Sequence, residues 1–297
     1  MTTPPVCNYE GSDYQSVFWD KGERAYEDAV EEVALRRLLP KHGKLLLELG
    51  AGAGRNTPRY PMYERIVLLD YSRTQLEQAR KRLGDSDRYV YVAADIYRMP
   101  FVSGRFDGAT MIRTLHHMAD APAALKEVRR VMEPAGTFIL EFANKQNIKA
   151  MARYALKKQP WSPYTLDPVE YVDLNFDFHP KAVRNWLAEH HFEVQRQLTV
   201  SHYRFPLFKK LIPHKLLVAM DSLAQYSGNW WQLSPSVFVL THGDQSGEKA
   251  VDENLFACPN CGHAPLPESK TDVTCPQCGK TYPFADGIYD FRLNPES

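Results

Sequence analysis

Apolar and polar positions alternate along the first half of the chain in two distinct rhythms. Short unbroken apolar runs, bounded by turn residues, read as strands buried on both faces at 45–49, 65–69, 88–93, 106–112 and 137–142. Between them the apolar residues recur at helical spacing. Tyr26, Val30, Val33, Ala34, Leu35 and Leu38 share one side of a helix from Tyr26 to Leu39 that Pro40 ends. Ser72 can cap a helix from Arg73 to Leu83 that stops at Gly84, and another helix runs from near Pro122 to Met132. Strands alternating with helices predict an α/β fold: a doubly wound, mostly parallel sheet with both faces covered. Further on, His179-Pro180 opens a helix through Glu189, and strands are expected at 192–200 and 236–240.

The chemistry concentrates where the first strand ends. Lys44-Leu-Leu-Leu-Glu48-Leu-Gly50-Ala51-Gly52-Ala53-Gly54-Arg55-Asn56 is a strand carrying one acid, followed by three alternating glycines. Glycines there let the backbone turn sharply and approach a ligand closely. The second strand ends in Asp70, which completes a nucleotide-binding half of a doubly wound sheet. A dinucleotide fingerprint would need a third glycine where Arg55 stands. Glu48 would repel a pyrophosphate but suits a ligand with an ammonium group, and Asp70 can accept from both hydroxyls of an unphosphorylated ribose. A nucleoside with a cationic tail and no phosphate is S-adenosylmethionine.

At these residues the chain resembles the class I S-adenosylmethionine-dependent methyltransferases, and the resemblance continues in order over roughly residues 40 to 145. Asp95, in Val92-Ala-Ala-Asp95-Ile96, stands where that family recognises the adenine amino group, with Ile96 against the ring. Phe106 to Ile112 matches the fourth strand, Leu115 to Asp120 the loop after it, and Arg129 to Thr137 the turn before the fifth, with Ala135 where a glycine is usual. The resemblance implies a seven-stranded Rossmann-like sheet whose last strand runs antiparallel. It also implies a first helix that covers the cofactor, which Glu48, Gly50, Ala51, Gly52, Asp70, Tyr71, Asp95, Ile96 and Arg113 would bind. Two aromatic segments, 143–178 and 201–234, would emerge at the carboxyl edge of the sheet as walls and lid of a substrate pocket. The alternative is that Trp161, Tyr164, Tyr171, Phe176, Phe178, Tyr203, Phe205, Phe208, Tyr226, Trp230 and Trp231 pack as an accessory core.

Composition narrows the partners. Lys plus Arg and Asp plus Glu each number 36 among 297 residues, so no net charge draws the chain to nucleic acid. The N-terminus lacks a signal core and no run approaches a membrane span, so a cytoplasmic location is expected. Lys209, Lys210 and Lys215 interleave with apolar residues, but Pro206 and Pro213 interrupt the segment, and a membrane surface is not the expected partner. Tyr14, Phe18 and Trp19 read as anchors of a loose N-terminal lead.

Near the C-terminus Cys258-Pro-Asn-Cys261-Gly and Cys275-Pro-Gln-Cys278-Gly form two matching knuckles. Each can present two sulfurs to one ion, and together they complete a four-sulfur tetrahedral shell suited to structural zinc. Disulfides could satisfy the same pairs, though less readily in a cytosolic chain. The expected organisation is a methyltransferase domain over 1–241, a polar linker over 242–253 and a zinc ribbon over 254–297, with Cys7 an incidental thiol. The tail from Tyr282 to Arg292 resembles the zinc-ribbon activator subunit that partners certain methyltransferases, which suggests packing on the catalytic domain or help with substrate.

Methyl transfer asks mainly for alignment, so a general base is needed only for a protonated acceptor. His116 and His117 are candidates, with a structural or cofactor-side role as the alternative; Glu141, Asn144, Asp173, His179 and His202 are weaker. The expected acceptor is a small or medium-sized, partly apolar molecule. An RNA modifier using the ribbon and a non-catalytic cofactor-binding scaffold are the other readings.

Overall fold

The computed structural model describes residues 4–7, 10–11, 24–251 and 253–293; Tyr14, Phe18 and Trp19 lie outside them. The first half is built as the periodicity predicts. Strands β1 (Gly43–Leu49), β2 (Tyr63–Asp70), β3 (Tyr89–Ala93), β4 (Phe106–Met111) and β5 (Met132–Ala143) are joined with helices α1 (Ala25–Leu38) before β1, α2 (Arg73–Leu83) before β3 and α3 (Ala121–Val131) before β5. The β1–β2 and β3–β4 crossovers carry only the short 3-10 turns Thr57–Arg59 and Ile96–Arg98. Ser72 Oγ accepts from the Gln75 N–H, and Gly84 ends α2 at a φ of 81°. Ala135 adopts a φ of 57°, so the usual glycine of that turn answers a real backbone need.

The aromatic segments hold elements that periodicity alone did not reveal. They are α4 (Ile148–Ala155), a hairpin of β6 (Val169–Val172) and β7 (Asn175–Asp177), and the short helices α6 (Pro206–Leu211) and α7 (His214–Ala224). Helix α5 (Pro180–Glu189) and strands β8 (Phe192–Val200) and β9 (Ser236–Gly243) fall where expected. β9 pairs antiparallel with both β5 and β8.

Seven strands form the anticipated sheet, and the C-terminal segment adds two. After β10 (Val273–Thr274) and β11 (Thr281–Tyr282), which pair with each other, come β12 (Phe284–Ala285) and β13 (Ile288–Asp290). β13 joins β3 in parallel, giving the order β12-β13-β3-β2-β1-β4-β5-β9-β8. The residues between β9 and the cysteines also lie on the body, where Ala250 N donates to Gly104 O at 2.9 Å and Arg129 reaches Asp244.

Alternation along β1 divides the core. Leu45, Leu47 and Leu49 join α3 and α5 on one face, whereas Leu46 joins α1, α2 and α7 on the other. Leu255, Phe256, Tyr282 and Phe291 belong to the first of these cores. Phe256 is completely buried, with its ring 6.2 Å from Phe101 and 4.9 Å from Phe291. The cysteine-bearing segment therefore shares its apolar interior with the sheet. Phe256→Ala is expected to cost about 3–5 kcal/mol and to leave one cooperative transition. Urea melts followed by far-ultraviolet circular dichroism and by tryptophan fluorescence test this, and separate midpoints for the two probes would contradict it.

Candidate functional site

The glycine loop is built by withholding side chains. Gly50, Gly52 and Gly54 take φ values of 63°, 52° and 71°, the left-handed region that other residues resist. A Cβ on Gly50 would lie 2.3 Å from Thr114 Oγ1, whose hydroxyl donates to Leu49 O at 3.1 Å. A Cβ on Gly52 would meet nothing closer than Gln75 at 3.9 Å. Space therefore opens beside the middle of the loop.

That space is a cavity at the carboxyl ends of β1, β2 and β4, where open α/β sheets take their ligands. Glu48, Gly50, Ala51, Gly52, Asp70, Tyr71, Ile96 and Arg113 all line it, together with His117. Asp95 is not in the lining, although its neighbours Ala94 and Ile96 are; its Oδ1 accepts from the Tyr97 N–H at 2.8 Å. Tyr60, Gln75, Thr110, Thr114 and Met118 also line it, as do Arg55, Asn56, Val6 and Cys7. Sequence reading did not single these out as site residues, because a lone Tyr60, Gln75, Thr110 or Thr114 carries no local signal of facing a ligand. Cys7, read as an incidental thiol, stands on this wall.

Two acids shape the cavity. Asp70 Oδ2 accepts from Gly52 N at 2.8 Å and Oδ1 from Ser72 N at 2.9 Å, so one carboxylate fixes both the loop and the start of α2. Burial raises its pKa against those backbone donors. Glu48 is buried, accepts from Thr57 Oγ1 at 2.6 Å, and is pushed up to about 7, chiefly by burial.

A third buried acid organises the surroundings. Glu31 on α1 pairs with Arg55 of the loop at 2.9 Å and with Arg113 just past β4. Burial alone would raise its carboxyl, yet the Arg113 and Arg55 guanidinium groups hold it down at about 2. Arg55 also bonds Asp28, and Arg59 reaches Asp28 at 2.7 Å. The cation that stands in the third-glycine slot is thus committed to α1.

Of the histidine pair, only His117 lines the cavity. Its Nδ1 lies 3.1 Å from Leu174 O; a carbonyl can only accept, so Nδ1 carries the proton. Burial lowers the pKa of both, that of His116 far below its usual value. The weaker candidates have structural work. Glu141 accepts from Arg113 N and Ser236 Oγ, and Asn144 Nδ2 donates to the carbonyls of Gln232 and Ser234. His179 caps α5, His202 bonds Asp221, and Asp173 is exposed.

The four cysteines converge away from this cavity. Their sulfurs lie within 4.8 Å of one another, with Cys258–Cys278 at 3.7 Å and Cys261–Cys275 at 3.6 Å. Those spacings exceed a disulfide and approach the roughly 3.8 Å edge of a tetrahedron with ~2.3 Å zinc–sulfur bonds. Gly262 and Gly279, after each pair, have φ values of 77° and 73°, as the knuckle turn requires. The cluster is compatible with metal binding.

Glu31→Gln is expected to cost about 3–5 kcal/mol at pH 7, because it strands Arg55 and Arg113. A carboxyl held low when folded contributes stability present above its ordinary value and lost as pH falls toward about 2. The deficit should therefore shrink with acidification. Urea melts at several pH values measure it, and a constant deficit would refute the charge origin.

Comparison with known proteins agrees with the geometry. Residues 47–140 match the family described as a methyltransferase domain. The chain is 26% identical over 153 residues to demethylmenaquinone methyltransferase of Clavibacter sepedonicus, covering 51% of this chain and 62% of that protein. It is 28% identical over 138 residues to 27-O-demethylrifamycin SV methyltransferase of Amycolatopsis mediterranei, covering 44% and 51%. The matched segments thus span less than two thirds of either relative. Among solved structures, a chain of the complex between the Haloferax volcanii Trm112 methyltransferase activator and a putative methyltransferase superposes with a TM-score of 0.55. That match has 16% identity and covers 78% of this chain and 96% of that one. Family match, motif order and sheet topology converge: the chain has the α/β Rossmann-like methyltransferase fold with a mostly parallel central sheet.

Proposed function

We propose that the protein transfers a methyl group from S-adenosylmethionine to a small or medium-sized, partly apolar acceptor. The observation that carries this reading is one cavity lined by the open glycine loop, Glu48 and Asp70, in whose wall Arg55 is tied to Asp28 and Glu31. S-adenosylmethionine would supply a methyl group activated on a sulfonium. Gly52, with room beside it, suits the methionyl tail; the lone pairs remaining on Asp70 suit the ribose hydroxyls, and Ile96 suits the flat face of a base. In-line displacement from a sulfonium needs alignment and a dry cavity more than acid–base help. Where the acceptor carries a proton, His117, which lines the cavity, is the candidate base.

Zinc fits the four-cysteine cluster as a structural ion, since four thiolates leave no open position for chemistry. From there β13 reaches the cavity's edge. Phe291 N donates to Ala93 O at 2.8 Å, and Arg292 Nη1 approaches Tyr71 O at 3.4 Å. The ribbon's cations favour a small acceptor over RNA. Arg292 pairs with Asp290 at 2.6 Å, Lys280 bonds Leu293 O, and Lys270 lies 4.0 Å from Asp87.

Calorimetry separates the enzyme from an empty scaffold. Binding of S-adenosylmethionine should strengthen as pH rises through about 7, where Glu48 ionises and begins to attract the cationic ligand. It should weaken again as the ligand's amine titrates near ~8. Glu48→Gln should lose the rising limb and bind about tenfold or more weakly. No heat at any pH would refute cofactor binding. A chromogenic chelator should release one metal ion per chain and lower the melting temperature by roughly 5–10 °C; an unchanged melt after release would refute a structural role.

A further inference from the structure

The aromatic segments make a surface unlike the rest of the molecule. The whole chain balances its charges, yet residues 143–166 and 201–220 contain no carboxylate. Lys149, Arg153, Lys157 and Lys158 are exposed in the first, Lys210 and Lys215 in the second. Large apolar side chains face solvent among them. Leu211 at the end of α6 is 69% exposed, Leu223 on α7 75%, Trp230 77% and Trp231 60%. Helix α6 buries no residue at all, and Ile148 and Leu156 are exposed at the two ends of α4.

The segments adjoin. Ile148 N donates to Leu233 O at 2.9 Å and Asn144 Nδ2 to Gln232 O at 2.9 Å, which sets the stretch bearing Trp230 and Trp231 beside the start of α4. The two prolines do interrupt 205–220, as the sequence suggests, but the result is two short helices in tandem. Trp230, Trp231 and Leu223 are absent from the cavity lining, so they do not serve as its walls.

The exposed tryptophans and leucines, with Lys149, Lys210 and Lys215 on the adjoining helices and Asp221 of α7 buried, match an anionic lipid surface. The exposed carboxylates of this segment, Asp167, Glu170 and Asp173, lie at or next to the β6–β7 hairpin. Indole rings favour the headgroup depth, lysine stems lie along apolar surface, and their ammonium groups meet lipid phosphates. A second copy fits poorly, because a twofold contact through this face would set its lysines against themselves. No described helix is long and apolar enough to cross a membrane, so contact would be peripheral. We propose that the face formed by α4, α6, α7 and residues 226–233 docks on anionic bilayers.

This inference does not depend on methyl transfer, and its test reads lipid binding alone. The full chain should sediment with vesicles of phosphatidylcholine mixed with phosphatidylglycerol, far less with phosphatidylcholine alone, and its tryptophan emission should shift to the blue. The double variant Lys210→Glu/Lys215→Glu should lower partition onto the mixed vesicles about tenfold or more. Trp230→Ser/Trp231→Ser should remove most of the emission shift, with thermal melts confirming that both variants fold. Three results would overturn the proposal: wild type left in the supernatant with both vesicles, variants that sediment like wild type, or a reversible dimer through the tryptophans that binds no lipid.

Discussion

A loop made of three left-handed glycines cannot hold itself in place, and the structure meets that constraint with the carboxylate of Asp70. Glycine is the residue that loses most conformational freedom on folding, so the loop between β1 and β2 is entropically costly to order. Asp70 offsets this by accepting from Gly52 on one oxygen and Ser72 on the other. Register places Asp70 one step beyond the last β1–β2 pair, Leu49 with Leu69, so the acid arrives at the loop because the strands are parallel and aligned. Ser72 then caps α2. Fold and site are thus one arrangement: the hydrogen bonds that end β2 and start α2 also hold open the space beside Gly52.

The second layer of control is electrostatic. A chain with balanced charge has separated its charges locally. Acids on α1 face cations of the loop and of the turn after β4, and Glu31, fully buried, accepts from both. Taking a carboxylate out of water is repaid here only because two guanidinium groups converge on it. Glu48 accepts from a hydroxyl, Thr57 Oγ1, rather than a guanidinium, and burial pushes its carboxyl up to about 7. Two buried acids on neighbouring elements therefore shift in opposite directions, Glu31 tying α1 to two cations of the cavity wall and Glu48 lining the cavity itself.

Much of this was legible in the residues. Continuous apolar runs located β1 to β5, since both faces of those strands are buried, and alternating glycines located the loop. Asp70 could be singled out because chain order and strand ends are coupled in parallel sheets. The knuckles were legible because metal ligation demands fixed local spacing. Partners brought together only by folding were not. Glu31 with Arg113, and Thr114 against Gly50, are distant in sequence and have no local signature. The hairpin of β6 and β7 was hidden because it is mostly exposed and its apolar residues do not alternate cleanly.

The placement of the C-terminal segment follows from the same reasoning about edges. Without it β3 would be the outermost strand, with a row of unpaired backbone groups next to the cavity. A long helix could cover that edge, but β13 pairs with it directly, through Ile288, Tyr289 and Asp290 against Tyr91, Val92 and Ala93. Such short strands have little stability of their own. They are held at one end by Phe256, Tyr282 and Phe291 in the sheet's core and at the other by the cysteine cluster. β13 runs on into Arg292, whose guanidinium lies 5.8 Å above the Tyr71 ring, so the segment that carries the cysteines ends beside a residue of the cavity wall.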